Sequence, residues 1–142
     1  MSNDPKNVFQ VMKEIYTDVA NAILASYPTC TVRNSFVYAP DAFPFASIVM
    51  SSDGNTQNTR DSSHIDKYND ITATVDVYTN AVDSKKTQAE GIMAVINGRF
   101  YALNFKMVSC KPNSNISNAQ NYRLSATFTA TVDCYGNIYA RR

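Results

Sequence analysis

The longest regular pattern in this chain is a strict alternation of apolar and polar residues near its C-terminus. The apolar positions are Leu124, Ala126, Phe128, Ala130, Val132 and Cys134, and the polar positions are Arg123, Ser125, Thr127, Thr129, Thr131 and Asp133. Because successive side chains of a strand point to opposite faces, this pattern predicts a long strand with one buried face. Such a strand is typical of an antiparallel sheet that is covered on one side.

Four further segments have the composition of strands. Ile71, Ala73, Val75 and Val77 alternate with Thr72, Thr74, Asp76 and Tyr78, so one face of this segment is also predicted to be core. Residues 29–38, 45–51 and 105–111 are rich in Val, Thr and aromatic residues. Residues 40–44 carry two prolines and predict a turn between the first two of these strands.

Two segments have the three- and four-residue apolar spacing of an amphipathic helix. The first is predicted to begin at Asp4 as N-cap and Pro5, to end at Pro28, and to bury the stripe Phe9, Met12, Ile15, Tyr16, Val19, Ala20, Ile23, Leu24 and Tyr27. The second follows Asp83 or Ser84 as N-cap and buries Ala89, Ile92, Met93, Ile96, Phe100 and Leu103. Asn104 then tolerates the left-handed conformation that a helix end needs.

This order of elements predicts an α+β fold, with a mainly antiparallel, mixed sheet and two helices packed on one of its faces. With 142 residues and 44% hydrophobic content, the chain is expected to form a single domain over residues 1–142. The polar stretch at about 52–69 is predicted to be a long loop that is mobile until a partner binds. Residues 122–142 are predicted to form an extended C-terminal strand and tail.

Residue groupings that perform chemistry are scarce in this sequence. His64 follows Asp61, Ser62 and Ser63, but a hydrolase triad converges from distant, rigid segments and not from adjacent loop positions. One histidine and three scattered cysteines lack the paired spacing of a zinc site, and no glycine-rich phosphate motif is present. We therefore predict no catalytic residue, no metal and no cofactor, and we expect Cys30, Cys110 and Cys134 to be reduced core or near-core residues.

The net charge of +1 gives no broad positive field of the kind that binds nucleic acid. No signal peptide or run of 18 apolar residues occurs, so we expect the product to stay in the cytoplasm where it is made. Asp66, Asp70 and Asp76, with Arg60 and Lys67 among them, are predicted to form a mixed solvated surface. Six of the nine tyrosines favour an interaction surface, because they lie in or beside strands and loops: Tyr38, Tyr68, Tyr78, Tyr122, Tyr135 and Tyr139.

Three stretches, read in order, carry a resemblance to a known family. The first is Phe43-Pro44-Phe45-Ala46-Ser47-Ile48, followed by Thr59-Arg60-Asp61-Ser62-Ser63; the second is residues 71–80; the third is residues 103–107 and 112–113, followed by 121–124. Their order and spacing resemble the tail terminator proteins of long-tailed phages, also called tail completion or head–tail joining proteins. Asn104 stands where that family often has glycine, and the tail at 135–142 is longer than usual.

The resemblance implies a structural virion subunit with no reaction and no cofactor. Six copies would form a ring at the head-proximal end of the tail tube, in the neck of the virion, after assembly in the host cytoplasm. The implied partners are further copies of this chain, the major tail tube protein and the head-completion or connector protein. DNA would be only passing cargo, and no membrane would be involved.

On this interpretation the long loop orders on assembly, with Arg60, Asp61, His64 and Lys67 supplying polar contacts. Tyr68, Tyr78, Tyr139, Arg141 and Arg142 complete the predicted assembly interface. Three alternatives remain open: another connector component or minor tail protein, a small ligand-binding or regulatory module, and a hydrolase built around His64.

Overall fold

The protein folds into a six-stranded sheet and two α-helices, which a computed structural model describes for residues 7–55, 68–116, 118–133 and 135–140. In chain order the elements are α1 (Val8–Ser26), β1 (Thr31–Arg33), β2 (Phe45–Asn55), β3 (Tyr68–Thr79), α2 (Lys85–Ala102), β4 (Lys106–Pro112), β5 (Tyr122–Asp133) and β6 (Ile138–Ala140). The strands lie in the order β1-β2-β3-β5-β4, and β6 pairs with the last part of β5. The predicted α+β class is confirmed.

The centre of the sheet is the long antiparallel pair of β3 and β5. These strands pair along their whole length, from Tyr68 opposite Asp133 to Thr79 opposite Tyr122. The other neighbouring pairs among the described strands are also antiparallel except β1 and β2, which are parallel, so the sheet is mixed. This arrangement buries the apolar positions of the two alternating segments on the same face, as their pattern predicts.

Both helices pack on that apolar face. α2 lies over β3, β5 and β4, and α1 lies beside it over β2. Phe100 of α2 stacks on Phe128 of β5 with ring centroids 4.6 Å apart. The ring of Phe105 also packs against that of Phe100, with centroids 4.9 Å apart. Arg99 and Asp18 form an exposed ion pair between the two helices. The core is therefore the layer between the helices and the sheet.

Helix α1 departs from its prediction at its start and on one flank. The described helix begins at Val8, and the N-cap Asn7 accepts a hydrogen bond from the amide of Gln10 at 2.8 Å. Asp4 and Pro5 lie outside the described residues. The buried stripe runs through Val11, Ile15, Val19, Ala20 and Ile23. The expected burial of Phe9 and Leu24 is wrong: Phe9 is 73% exposed, because it lies two residues, about 200° of helix rotation, from Val11.

The strand boundaries shift relative to the sequence pattern. β1 ends at Arg33, and residues 34–44 form a loop instead of continuing the strand predicted over residues 29–38. β2 reaches Asn55 and β3 begins at Tyr68, so residues 52–55 and 68–69 are strand where a loop is predicted. Backbone pairing of Ser52 with Ile71 and of Asn55 with Asn69 extends the strands regardless of side-chain polarity.

The end of α2 and the C-terminal tail are joined by one side chain. Asn104 has a φ of 68°, as its place after the helix predicts, and its amide donates to the carbonyl of Ile138 at 2.9 Å. The tail turns back as β6 instead of extending. Asp133 holds this turn by accepting the backbone N–H groups of Tyr135 and Asn137, each at 2.9 Å, and Gly136 supplies a φ of 87°.

Two cysteines occupy different environments. Cys30 is buried, as predicted, whereas Cys110 is exposed because it lies on the edge strand β4, so its expected place in the core is wrong. Cys134 lies outside the described residues. In the described ranges neither helix is long and apolar enough to cross a membrane.

Candidate assembly surfaces

The residues of the predicted interface are only partly described. Arg60, Asp61, His64, Lys67, Arg141 and Arg142 lie outside the described residues, as does Asp66. Tyr68 begins β3, where it pairs with Asp133 of β5. Tyr78 and Tyr139 lie on the sheet face away from the helices, but at opposite ends of it, since they pair with Arg123 and Thr131 respectively. These two tyrosines are therefore not brought together.

The sheet face away from the helices, which we term the outer face, is rich in hydroxyl side chains. Cross-strand pairing places in one patch the half-buried or exposed residues Val49, Ser51, Thr72, Thr74, Thr127, Thr129 and Thr131. Thr131 donates to the carboxylate of Asp70 at 2.7 Å. This patch is polar and uncharged over most of its area.

At one end of the outer face, an ion pair is buried under loops. Arg123 Nε donates to Asp76 Oδ1 at 2.8 Å, and both side chains are almost fully buried. The hydroxyl of Ser125 also donates to Asp76. The prediction that Asp76 belongs to a solvated surface is therefore wrong. Burial of two charges is costly, and here it is offset because each charge keeps short hydrogen bonds.

The same arginine fastens two loops to the sheet. Its Nη1 donates to the carbonyl of Asn115 at 2.9 Å, which ties down the loop between β4 and β5. The guanidinium carbon lies 5.2 Å from the ring centre of Phe36 and 5.4 Å from that of Tyr78, within cation–π range. Phe36 belongs to the loop 34–44, which is also held because Ser47 donates to the carbonyl of Ser35 at 2.9 Å.

Tyr78 lies inside this cluster and not on the surface. Its side chain is 1% exposed, and its hydroxyl has no hydrogen-bond partner among the described residues. Burial raises the pKa of this phenol, and the nearby Arg123 opposes part of that rise. In the folded protein, the Tyr78 side chain is thus buried against Phe45 and Arg123.

Tyr139 has an accessible ring and a fixed hydroxyl. The side chain is 46% exposed, and its hydroxyl donates to Asp133 Oδ2 at 3.0 Å. Burial acts to raise the pKa of Asp133, but the hydrogen bonds from Asn137, Tyr135 and Tyr139 outweigh it and lower that pKa. Tyr38 and Tyr135 are also exposed, so three of the tyrosines singled out in the sequence present rings to solvent.

A groove lies on the helix-covered side of the molecule, between α2 and the edge strand β4. It has a volume of about 380 Å³, with an apolar floor that includes Met93, Met107 and Leu124. Lys86, Glu90 and Asn97 of α2 form one wall, and Cys110, Pro112 and Tyr122 form the other. Burial and the negative charge of Glu90 raise the pKa values of both Cys110 and Tyr122, so Glu90 is electrostatically close to the far wall.

On the opposite side of the helix layer, α1 presents Phe9 beside β1 and β2. Phe9, Met12, Lys13 and Tyr16 surround a shallower depression together with Asn34 and Met50. Neither surface is predicted from the sequence, because the helical spacing of α1 predicts a wholly buried stripe and the groove depends on how β4 lies against α2. The exposed position of Phe9 follows only once Val11 is known to face the core.

Within the described residues, no group of three or more His, Cys, Asp or Glu side chains is arranged to hold a metal ion. Two ion pairs, Asp76 with Arg123 and Asp18 with Arg99, connect different elements of the fold.

Comparison with known proteins gives a likeness of fold. The sequence matches no protein-family model, and no curated protein matches it. Among solved structures, a chain from the virion of a native gene transfer agent particle is similar, with a TM-score of 0.59 at 14% sequence identity. The match covers 83% of this chain and 93% of the other. Nearly the whole of that virion chain therefore shares this architecture.

Proposed function

We propose that this protein is a structural subunit of a phage-like virion, and that it forms a ring at the head-proximal end of the tail tube. The ring would end polymerisation of the tube protein and join the finished tail to the head connector. The observation that carries the proposal is the fold shared with a gene transfer agent virion chain over most of both chains. The resemblance of three sequence stretches to tail terminators gives the proposal its particular position in the virion.

The stretches that carry the resemblance lie at related places in the fold. Residues 43–48 lead into and begin β2, residues 71–80 cover most of β3, and residues 103–107 form the turn from α2 into β4. Residues 121–124 begin β5, beside the buried Asp76–Arg123 pair. The resemblance therefore follows the strand starts and turns that define the sheet, which supports a common architecture.

The surfaces of the subunit suit an assembly with several different neighbours. A terminator must contact copies of itself, the tube below and the connector above, so it needs more than one interface. The outer face with the exposed ring of Tyr139, the α2–β4 groove and the Phe9 side of α1 are three separate surfaces. The segment between β2 and β3, with Arg60, Asp61, His64 and Lys67, remains a predicted fourth contact.

The test is to disrupt the gene in the phage or prophage that encodes it and to measure heads and tail lengths by negative-stain electron microscopy. Filled heads beside unattached tails of irregular or excessive length are expected, because nothing would cap the growing tube. Expression of the wild-type gene from a plasmid should restore joined particles with one tail length.

Tail length separates this function from its alternatives. Unattached tails of normal length would indicate a different connector component, and absent or short tails would indicate a minor tail protein needed earlier in assembly. Normal infectious particles would contradict the structural role and favour a binding module. In that case the α2–β4 groove, whose volume is near the lower end for ligand pockets, would be the place to look for a ligand.

A further inference from the structure

The two sides of the helix layer carry surfaces that differ from each other. On the α2 side is the groove against β4, and on the α1 side is the exposed ring of Phe9. The two surfaces are far apart in the subunit, since α1 covers β2 and α2 covers the strands beyond it. If the groove of one copy binds the Phe9 surface of the next, this contact would join the copies in the ring proposed above.

Direct strand pairing between copies is disfavoured at β4 and at β1. β4 carries Lys106, Lys111 and Pro112, and its pairing with β5 is irregular between Met107 and Ser109. β1 has only three residues and ends in Arg33. Edge lysines, prolines, bulges and very short strands are features that block edge-to-edge pairing. At these two strands, contacts between copies are therefore expected from side chains and not from strand pairing.

The groove has the size and lining to receive one aromatic side chain. Its volume of about 380 Å³ exceeds the roughly 150 Å³ of an apolar cavity that holds benzene. Met93, Met107 and Leu124 offer apolar contacts at its floor, and methionine packs favourably against aromatic rings. Glu90 on its wall would attract a cationic group that arrives beside the ring.

The surface around Phe9 matches these requirements. Phe9 is 73% exposed, and Lys13 lies one helical turn further along the same side of α1. A phenyl ring and an ammonium group are thus presented together, where the groove offers an apolar floor and a carboxylate. Because the two surfaces lie on opposite sides of one subunit, their contact would be head-to-tail, which is the kind that generates rings.

We propose that Phe9 of one copy inserts into the α2–β4 groove of the next copy, with Lys13 facing Glu90. This inference rests on the proposed ring and specifies its subunit contact. Phe9 is the anchor of the contact, since large aromatic side chains in pockets dominate interface energies. The Lys13–Glu90 pair sets the orientation more than the affinity, as charges at an interface rim usually do.

Cysteine cross-linking of the full chain tests the contact, because Cys110 already lies on the groove wall. Lys13→Cys in a Cys134→Ser background, treated with a short bis-maleimide, should give a ladder from dimer up to the closed ring on a denaturing gel. Adding Cys110→Ser should remove the ladder. Asn21→Cys is the matched control, because it is exposed two turns along the same face of α1, roughly 12 Å away.

Substitutions test the anchor itself. Phe9→Ser should weaken self-association at least tenfold in sedimentation velocity, whereas Val82→Ser, at a residue 91% exposed, should leave it unchanged. Lys13→Glu and Glu90→Lys should each weaken association, and the double substitution should restore it. Equal losses from Phe9→Ser and Val82→Ser, or a double variant no better than either single one, would contradict the contact.

The cross-link is repeated on tails purified from phage that carry the Lys13→Cys gene, so that a chain that is monomeric when free is still tested. A ladder there supports the contact. Overlong tails after gene disruption, together with no Lys13–Cys110 ladder or an equal ladder from Asn21→Cys, overturn this contact and leave the proposed function standing. Normal particles after gene disruption would overturn the proposed function instead, whatever the cross-links show.

Discussion

The two faces of the sheet bury different kinds of side chain. The helix-covered face is mostly apolar, with Phe128 of β5 stacked on Phe100 of α2. Among the described residues, the outer face is covered at one end, where the ion pair of Asp76 and Arg123 lies under two loops. One face is held by non-directional packing, and the other by a small set of hydrogen bonds with defined geometry.

The two faces are expected to differ in how well they tolerate substitution. An apolar face accepts other side chains of similar volume, because packing depends on shape and area. The covered end of the outer face tolerates less, because loss of either charged partner leaves the other buried without compensation. The open part of the outer face, with its threonines, contributes little to the core.

The largest effect is expected on the helix-covered face. Phe128→Ala should lower the free energy of unfolding by about 3–5 kcal/mol, because it removes a fully buried ring from the stack with Phe100. Thr129→Ala, one residue along on the outer face, should change it by about 1 kcal/mol or less. Urea unfolding followed by circular dichroism measures both. Similar losses for the two variants would contradict the division between the faces.

The stability of the protein should depend on Asp76 and Arg123 as a pair. Arg123→Met is expected to cost about 3–5 kcal/mol, because it leaves Asp76 buried and unpaired. The double variant Asp76→Leu with Arg123→Met should recover much of this loss, since neither site then holds a charge. Arg99→Met is the control, because its pair with Asp18 is exposed, and its effect should be much smaller.

Chemical denaturation of the wild type, the single variants Arg123→Met and Asp76→Leu, the double variant and the control Arg99→Met checks this prediction. A loss in the double variant equal to the sum of the losses in Arg123→Met and Asp76→Leu would show that the charges do not act as a pair. In the single variant Arg123→Met, the loops holding Phe36 and Asn115 should also become more accessible to limited proteolysis, because the arginine contacts both.

The two glycines of α2 give a smaller contrast between the inner and outer sides of a helix. A Cβ at Gly98 would meet nothing within 4 Å, so Gly98→Ala should stabilise the protein by about 0.5–1 kcal/mol through helix propensity. A Cβ at Gly91 would clash with the hydroxyl of Tyr27. Gly91→Ala should therefore stabilise the protein less than Gly98→Ala, because the Tyr27 side chain must move aside, and the difference between the two variants should shrink in a Tyr27→Phe background.

The smallest effect concerns the thiols of core and groove. Burial raises the pKa of Cys30 to about 11, so iodoacetamide should modify Cys30 more slowly than the exposed Cys110. Burial, followed by the charge of Glu90, raises the pKa of Cys110. Glu90→Gln removes this negative charge, so it should lower the pKa of Cys110 and increase the thiolate fraction of Cys110 at neutral pH.

The alkylation rate of Cys110 should then rise by less than tenfold, since tenfold requires a full pKa unit. Mass spectrometry in a Cys134→Ser background measures the rate at each thiol. The rate at Cys30, which lies in the core, should be the same with and without Glu90→Gln. A changed rate at Cys30, or an unchanged rate at Cys110, would contradict the placement of Glu90 beside the groove wall.

Much of the fold was accessible from local patterns. The alternation of apolar and polar residues in β5 and β3 identified the buried face, because all the apolar residues of such a strand lie on the same side. The end of α2 at Asn104 was also predictable, because few residues accept a positive φ. The start of α1, the length of β1 and the β6 hairpin were missed, because caps and edge pairings depend on neighbours that no local pattern specifies.

The candidate surfaces were much less accessible. The sequence predicts both Tyr139 and Tyr78 at a surface, but only Tyr139 is exposed, whereas Tyr78 is buried against Phe45 and Arg123. The helical spacing predicts Phe9 in the core, although it faces solvent. The α2–β4 groove involves residues from three separate elements, so no single stretch of sequence signalled it.

Local spacing of residues was therefore enough to predict which elements form and which side of each strand is apolar. It could not predict that the polar Asp76 and Arg123 are buried or that the apolar Phe9 is exposed. Burial depends on what packs against a residue from elsewhere in the chain, which is known only once the chain is folded. Charge and hydropathy are properties of a single side chain, whereas a surface is formed by side chains from several elements of the fold.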